Sequence, residues 1–162
     1  MAKERINLLI VDDEDQFLRS MTKRLEARGF NVIAVDRGEK AVEAARQRTI
    51  DIALVDLKMP GMSGEQTLQA LKKEHCWMEV IILTGHGSVD SVAECTRVGA
   101  YSYLHKPCEL SQLLPVMAQA YKQKVMNKMD IDESRMNELL EVSSCSSPLG
   151  MLERIKELDE EG

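Results

Sequence analysis

The chain has 162 residues and contains no apolar run long enough to cross a bilayer. A spanning helix needs about 18 consecutive apolar residues, and the apolar run from Ile6 to Val11 is far shorter. This run is also too short for the hydrophobic part of a secretory signal peptide, and most of the residues before it are charged or polar. The sequence therefore predicts a cytoplasmic protein with no membrane insertion.

Paired cysteines and aromatic side chains are scarce as well. The four cysteines stand at positions 76, 95, 108 and 145, and no two of them have Cys-x-x-Cys spacing. This pattern argues against a thioredoxin-type redox motif and a zinc finger, so we expect plain thiols in a reducing compartment. Aromatic residues form 4% of the chain while methionine occurs ten times, which predicts a core filled mainly by aliphatic side chains.

Basic residues are in deficit only near the C-terminal end. Residues 1–129 hold 18 basic and 17 acidic residues, whereas residues 130–162 hold 3 basic and 10 acidic ones. Binding to nucleic acid requires lysine and arginine against the phosphates. The acidic segment therefore predicts no direct nucleic-acid contact by this chain, and it favours contact with protein instead.

Short apolar runs alternate with amphipathic helical patterns along most of the chain, which predicts an α/β fold with a parallel sheet. The first, third and fourth runs are continuously apolar, as expected for strands covered on both faces. The second run is weaker, and we expect it nearer an edge. Ser63, with Gln66 three residues later, has the spacing of a helix capping box. The predicted strands cover residues 6–11, 31–35, 50–55, 80–83 and 101–105.

The chain beyond Glu109 is predicted to be helical again, with Asp130 as the N-cap of a further helix and a serine-rich linker at residues 143–148. Apolar residues at spacings of three and four give each C-terminal helix one apolar face. Isolated helices of this length are marginal in water, so these faces need a surface to dock on. We expect them to dock on the side formed by the fourth helix, fifth strand and fifth helix; a disordered tail is the alternative.

Polar residues follow four of the predicted strands. Asp12 and Asp13 follow the first strand, Asp56 the third, Thr84 the fourth and Lys106 the fifth. The carboxyl ends of parallel strands meet at one edge of the sheet, where ligands of such sheets bind. Three carboxylates repel one another there unless a cation is present, and oxygen ligands at an exposed edge suit Mg²⁺. The sequence therefore predicts a magnesium site at this edge.

Four motifs, in this order, resemble the receiver domain of bacterial two-component response regulators. They are LLIVDDE at 8–14, DLKMPGMSG at 56–64, LTGH at 83–86 and YLHKP at 103–107. The resemblance implies a flavodoxin-like, doubly wound (βα)5 fold whose five-stranded parallel sheet has the order 2-1-3-4-5. We predict a receiver domain over residues 5–122 and, over residues 123–162, an acidic helical extension without a recognisable effector domain.

The resemblance also implies roles for the clustered carboxylates. Asp56 is expected to be the phosphoacceptor, which attacks the phosphorus of a phosphohistidine and becomes an acyl phosphate. Asp13, with Asp12 acting mainly through water, is expected to hold Mg²⁺ together with Asp56 and the backbone carbonyl of Lys58. Such transfer depends mostly on positioning and electrostatics, so the site needs this positive charge.

Four further residues match positions of the family that act on the phosphoryl group or respond to it. Lys106 is expected to contact Asp56 and then a phosphoryl oxygen, and the Thr84 hydroxyl is expected to bind another oxygen. Tyr103 matches the switch aromatic that rotates inward behind Thr84. Pro107 is expected to lie in a cis Lys-Pro peptide bond.

The function implied by the resemblance is phosphorelay signal transduction by a switch protein that is not an enzyme in its own right. The expected donor is a sensor histidine kinase or a histidine phosphotransfer protein, and phosphorylation is expected to alter the surface of the fourth helix, fifth strand and fifth helix. A downstream protein partner or a phosphorylation-dependent homodimer would receive the signal. Lys58 and His86 flank the expected phosphoryl position and are predicted to tune the lifetime of the acyl phosphate.

Three other functions compete with this interpretation. An aspartyl-nucleophile phosphatase of the haloacid dehalogenase type needs a second aspartate two residues after the nucleophile, where Lys58 stands. A flavodoxin-type module needs a hydroxyl- and glycine-rich phosphate loop after the first strand, where four acidic residues follow instead. A receiver that acts only as a scaffold remains the strongest alternative, although it usually lacks one of the key residues.

Overall fold

The computed structural model describes residues 5–85, 87, 89–141 and 147–161. Five parallel strands form one sheet in the order β2-β1-β3-β4-β5, as the resemblance implied. The prediction on His86 lies outside the described residues, and so does the predicted serine-rich linker at residues 143–148, except for Ser147 and Pro148. The strands are β1 (Asn7–Val11), β2 (Asn31–Val35), β3 (Ile52–Val55), β4 (Glu79–Thr84) and β5 (Ser102–His105). The helices are α1 (Asp15–Glu26), α2 (Gly38–Gln47), α3 (Gly64–Glu74), α4 (Val89–Val98), α5 (Leu110–Met129), α6 (Glu133–Glu141) and α7 (Pro148–Glu161).

Two hydrophobic clusters cover the two faces of the sheet, because successive strand side chains point to opposite faces. In β1, Leu8 and Ile10 pack with α1 and α5, whereas Leu9 and Val11 pack with α2, α3 and α4. β1, β3 and β4 are buried along almost their whole length, and β2 is an edge strand with a weaker pattern. The prediction from hydrophobic continuity is therefore confirmed strand by strand.

The predicted capping box at the start of α3 is present. The Ser63 hydroxyl accepts a hydrogen bond from the Gln66 amide at 3.2 Å, and the Gln66 side chain accepts one from the Ser63 amide at 2.9 Å. These bonds satisfy amides that the helix itself leaves unpaired. The cap fixes where the loop after β3 ends, and this loop begins at Asp56.

The helical extension differs from its sequence prediction at its first boundary. Asp130 is not an N-cap: it ends α5 in the left-handed conformation, with φ 54°. Aspartate tolerates this conformation better than most residues, and a left-handed residue is a common end to a helix. The side chain of Asp132 takes the predicted role and accepts a hydrogen bond from the Arg135 amide at 2.8 Å. Within the described residues, no helix is both long and apolar enough to cross a membrane.

The extension is folded onto the domain, so the alternative of a disordered tail is wrong for α6 and α7. α7 lies along α5, and its Leu152, Ile155 and Leu158 are buried in the same cluster as Ile6 and Phe30. This position is on the α1 and α5 face, near the end of the sheet where the strands begin. α7 therefore docks on α5, as expected, but on the α1 side of that helix and not on the expected α4 and β5 side, because apolar spacing defines a helix face but not its partner.

A buried ionic network joins α7 to α5 and to Asp51, the residue just before β3. Asp159 of α7 accepts hydrogen bonds from Tyr121 at 2.9 Å, Lys128 at 2.8 Å and Lys124 at 3.4 Å. Lys124 also donates to Asp51 at 2.7 Å, just before β3 begins. Burial raises the pKa of Asp159, but the hydrogen bond from Lys128, the charge of Lys124 and the hydrogen bond from Tyr121 outweigh it and hold this pKa below its usual range.

Candidate functional site

The carboxyl ends of the strands bring the predicted polar residues to one edge of the sheet. Asp56 follows the last residue of β3, and its amide donates to the carbonyl of Val11 at the end of β1 over 2.9 Å. Lys106 follows β5, and its amide donates to the carbonyl of Thr84 at the end of β4 over 3.0 Å. Continuation of the parallel hydrogen-bond pattern beyond the strands therefore fixes where these side chains begin.

Three carboxylates meet at this edge as predicted. Asp12, Asp13 and Asp56 each offer an oxygen, and these oxygens lie within 4.8 Å of one another. Asp12 and Asp56 are buried, while Asp13 is exposed and opens the group to solvent. Burial raises the pKa of Asp12 above its usual range and the charge of Asp56 adds to this, although Lys106 and the Glu14 amide act in the opposite direction. An oxygen-only donor set with one open side fits a hard divalent cation such as Mg²⁺.

Lys106 reaches this group but contacts a different carboxylate from the one expected. Its ammonium donates to Asp12 Oδ2 and, at 3.4 Å, to Glu14 Oε2, and it makes no hydrogen bond to Asp56 among the described residues. Asp12 is almost fully buried, so the charge of the ammonium offsets part of the free energy needed to keep this carboxylate away from water. Burial lowers the pKa of Lys106, but the bond to Asp12 and the charges of Asp12, Asp56 and Glu14 together raise it above its usual value.

Sequence reasoning missed two residues that contact this lysine, namely Glu14, which is the N-cap of α1, and Phe17 in the first turn of α1. Besides the contact with Glu14, the Lys106 ammonium lies 4.0 Å from the ring centroid of Phe17. Glu14 and Phe17 are three residues apart and therefore share one face of the helix. They line a pocket of about 440 Å³ together with Asp13, Asp56 and Lys106. Helical spacing was the signal that could have found them, because a helix that begins just after Asp12 and Asp13 has residues 14 and 17 on one face.

Thr84 and Tyr103 lie on neighbouring strands, as predicted. Thr84 is fully buried at the end of β4, and Tyr103 packs against the α2–α4 face of the sheet. The Tyr103 hydroxyl is buried and has no hydrogen-bond partner among the described residues. Burial raises the pKa of Tyr103, with further contributions from Cys95, Glu65 and Asp56. The ring therefore occupies an inner position with an unpaired polar atom.

Two glycines that carried no predicted role are required by close approach at this edge. A Cβ at Gly87 would overlap the hydroxyl and ring of Tyr103, so only glycine admits the ring to its inner position. A Cβ at Gly64 would overlap the carbonyl of Asp56 and the backbone of Leu57. Gly64 thus lets the start of α3 pack directly against the residue that carries the third carboxylate.

The remaining predicted residues lie as follows. The Lys106–Pro107 peptide bond is cis, as the resemblance implied. Lys58 is exposed in the loop after Asp56, and the role of its carbonyl stays a prediction. His86 lies outside the described residues, so its position beside Thr84 stays a prediction too.

Comparison with known proteins gives concordant results. A family model described as response regulator receiver domain matches residues 8–118. The chain is 34% identical over 122 residues to a cyclic di-GMP phosphodiesterase of Thermotoga maritima, covering 75% of this chain and 33% of that protein. It is 31% identical over 123 residues to the transcriptional regulatory protein GlrR of Escherichia coli, covering 76% of this chain and 28% of that protein. The chain therefore spans a third or less of the length of these relatives.

The fold is found among solved structures as well. A CheY-like response regulator receiver domain protein from Methanospirillum hungatei superposes with a TM-score of 0.74 at 26% sequence identity. The match covers 76% of this chain and 99% of that one. The helices beyond α5 fall largely outside the region that these comparisons cover.

Proposed function

The chain belongs to the response regulator receiver family, whose members act in phosphorelay signalling, and we propose that Asp56 is its phosphoacceptor. The observation that carries this assignment is the meeting of Asp12, Asp13 and Asp56 with Lys106 at one edge of the sheet. The donor is a phosphohistidine on a sensor histidine kinase or a histidine phosphotransfer protein. This chain is a switch in that scheme, and the phosphodiesterase activity in the name of one relative belongs to that longer protein.

The chemical step needs a nucleophile and a means of offsetting negative charge. A carboxylate oxygen of Asp56 attacks phosphorus, the bond from phosphorus to the histidine nitrogen breaks, and an acyl phosphate forms. The Leu57 amide donates to Asp56 Oδ1 at 2.9 Å, which leaves Oδ2 as the oxygen that attacks. The buried position of Asp56 limits its rotation and so helps to orient that oxygen.

The oxygen donors of the cluster support the same assignment. Asp12, Asp13 and Asp56, together with the backbone carbonyl of Lys58, are the residues that we propose hold Mg²⁺. When bound, Mg²⁺ supplies positive charge that offsets repulsion between the carboxylate and the incoming phosphoryl group. Lys106 supplies a second positive charge, since its raised pKa keeps the ammonium protonated through the physiological pH range.

Transmission of the signal is proposed to use Thr84 and Tyr103. We expect the Thr84 hydroxyl, at the end of the strand next to β3, to bind a phosphoryl oxygen on Asp56, and we expect movement of Thr84 to change the space available to the Tyr103 ring on the next strand. This ring packs with residues of the α4 side, including Cys95 of α4. In this proposal Thr84 and Tyr103 carry the signal from Asp56 to the surface of α4, β5 and α5.

The output of the switch is proposed to be a protein contact. Residues 5–122 form the receiver domain in this proposal, residues 123–162 extend it, and the partner is a downstream protein or a second copy of the chain. Residues 130–162 of this extension hold ten acidic residues against three basic ones, which opposes direct binding to nucleic acid. A kinase that makes phosphohistidine uses ATP, so we expect the transfer of the phosphoryl group to Asp56 to take place in the cytoplasm.

The decisive experiment is transfer from a small acyl phosphate in the presence of Mg²⁺, followed by intact mass. We expect wild type to gain one phosphoryl group and Asp56→Asn to gain none. Asp36→Asn is the matched control, because Asp36 follows β2 at the same edge but pairs with Lys40 at 2.9 Å outside the cluster. Equal uptake by Asp56→Asn, or undiminished uptake in excess chelator, would contradict the proposal.

A further inference from the structure

The ammonium of Lys106 is held by three groups, none of which is Asp56. It donates to Asp12 Oδ2 and to Glu14 Oε2, and it lies over the ring of Phe17 at 4.0 Å from the centroid. The lysine side chain is only 14% exposed, so these contacts act with limited solvent screening. We call this arrangement the resting position of Lys106.

The resting position has to be left before Lys106 can serve a phosphoryl group on Asp56. Hydrogen bonds to Asp12 and Glu14 direct the ammonium toward the α1 side of the cluster. An interaction made only in the ground state slows a reaction, because it is lost when the transition state is reached. Each contact of the resting position therefore adds to the free energy that is needed to move the Lys106 ammonium to Asp56.

Resting on the function proposed above, we propose that Phe17 is a positioning residue that holds Lys106 in its resting position and thereby restrains phosphorylation of Asp56. An aromatic face attracts an ammonium electrostatically, and an aliphatic side chain of similar size does not. Phe17 is half-buried on the helix that begins directly after Glu14, so its ring is held by the α1 backbone. The ring lines the same pocket as Asp56 and Lys106.

The geometry distinguishes this role from ordinary packing of an apolar residue. Met21 lies one turn further along the same face of α1 and lines the same pocket, but it offers no aromatic ring to the ammonium. Phe17 is the aromatic ring that meets Lys106 among the described residues. A packing role predicts that any apolar residue of similar volume suffices, whereas a positioning role requires an aromatic face.

The test compares three variants of the full chain in initial rates of uptake from a small acyl phosphate at saturating Mg²⁺. Phe17→Leu keeps an apolar side chain and removes the ring, and we expect uptake to rise by about 2- to 5-fold. Phe17→Tyr keeps the ring and is expected to stay near the wild-type rate. Met21→Leu is the control for repacking of the pocket and is also expected to stay near wild type.

A second readout does not depend on phosphorylation. Protons on the Lys106 side chain beside the ammonium lie over the ring, so their NMR signals in wild type are expected upfield of those of other lysines. Phe17→Leu should abolish this displacement and Phe17→Tyr should keep it. Glu14→Gln, which removes an exposed partner of the ammonium, should reduce the displacement and raise the rate in the same direction as Phe17→Leu.

The outcomes separate this inference from the function on which it rests. Absence of uptake by wild type would overturn the phosphoacceptor assignment, while the lysine signals would still report the resting position. A Phe17→Leu rate equal to wild type, with normal uptake by wild type, would overturn the inference alone. A slower Phe17→Leu rate would overturn it as well, because the ring would then favour the reactive position of Lys106.

Discussion

The ammonium of Lys124 on α5 lies 2.7 Å from Asp51 Oδ1, and both side chains are buried at the foot of β3. Asp51 also accepts hydrogen bonds from the Asn7 amide at 2.8 Å and from Lys156 of α7 at 3.3 Å. One carboxylate thus connects the starts of β1 and β3 with α5 and α7. Since β3 carries Asp56 at its other end, the extension is attached to the strand that bears the phosphoacceptor.

Asp159→Asn tests how strongly this network holds α7. The substitution removes the charge that Tyr121, Lys124 and Lys128 share, and we expect the free energy of unfolding at pH 7 to fall by about 1.5–3 kcal/mol. Urea denaturation measures it. Glu160→Gln is the control on the same helix, because the Glu160 carboxylate is 40% exposed at 3.7 Å from Lys156 and such surface pairs contribute about 1 kcal/mol or less.

The difference in unfolding free energy between wild type and Asp159→Asn should depend on pH in one direction. The pKa of Asp159 is lower in the folded chain than in the unfolded chain, where it is about 3.9. Its stabilising contribution is therefore fully present above that value and is lost as the pH falls through the folded pKa. The stability gap between wild type and Asp159→Asn should shrink below about pH 4. A gap that stays constant down to pH 3 would show that the charge of Asp159 has no part in it.

Removal of the extension tests whether it is part of the receiver's core. A chain that ends at Met129 loses the buried side chains Leu152, Ile155 and Leu158, and we expect unfolding to become easier by about 2–4 kcal/mol after the ordering cost of α7 is subtracted. The urea m-value should fall too, because less surface is exposed on unfolding. A full-length Ile155→Ala variant keeps α7 and should show part of the loss. Unchanged stability of the short chain would show that α7 does not pack as described.

Sequence patterns predicted the sheet well because each strand carries its own signal. Continuous apolar runs identified β1, β3 and β4, and the aspartates after β1 and β3 identified the edge where the site lies. Contacts between distant side chains carry no such local signal. The bonds from Tyr121 and Lys124 to Asp159 span 38 and 35 positions, and the position of α7 depends on them. Likewise the resemblance implied a contact of Lys106 with Asp56, and no sequence pattern shows which of the three nearby carboxylates the ammonium contacts.

Replacement of tyrosine by phenylalanine should have different effects on stability at positions 121 and 103. The Tyr121 hydroxyl donates to Asp159 at 2.9 Å, whereas the Tyr103 hydroxyl is buried without a partner among the described residues. Tyr121→Phe should destabilise the chain by about 1 kcal/mol or more, while Tyr103→Phe should leave stability unchanged or raise it. Thermal and urea unfolding compare the two directly. A similar loss in both variants would show that the Tyr103 hydroxyl finds a partner in solution.

Gly87→Ala tests the inner position of the Tyr103 ring by a separate route. The added methyl group occupies the space of the ring and hydroxyl, so the ring should turn outward toward solvent. We expect quenching of tyrosine fluorescence by a soluble quencher to increase, and phosphate uptake by Asp56 to continue. Gly85→Ala is the control, since a methyl group there meets its nearest atom, Lys106 Cβ, at an ordinary 3.9 Å. Equal quenching in wild type and Gly87→Ala would contradict the inner position.

Thr84→Ala and Lys106→Ala separate uptake of phosphate from transmission of the signal. Both leave the Asp56 nucleophile in place, so each should still be phosphorylated, more slowly for Lys106→Ala because a positive charge is lost. Neither should show the amide hydrogen-exchange changes over β5 and α4 that we expect in wild type after phosphorylation. A wild-type exchange response in both variants would mean that another route links Asp56 to the surface.

Lys58 and His86 are predicted to control how long the acyl phosphate lasts. Hydrolysis requires water to approach phosphorus in line with the bond to Asp56, and side chains two residues after Asp56 and Thr84 are placed by the motif to obstruct that approach. Loss of phosphate should therefore be faster in Lys58→Ala, and faster still when His86→Ala is added, while uptake changes little. Intact mass after removal of the donor gives the decay rate. Lys40→Ala is the control, since it changes another exposed lysine that follows β2 at the same edge, and its acyl phosphate should decay at the wild-type rate. Identical decay in all variants would show that residues other than Lys58 and His86 control the access of water.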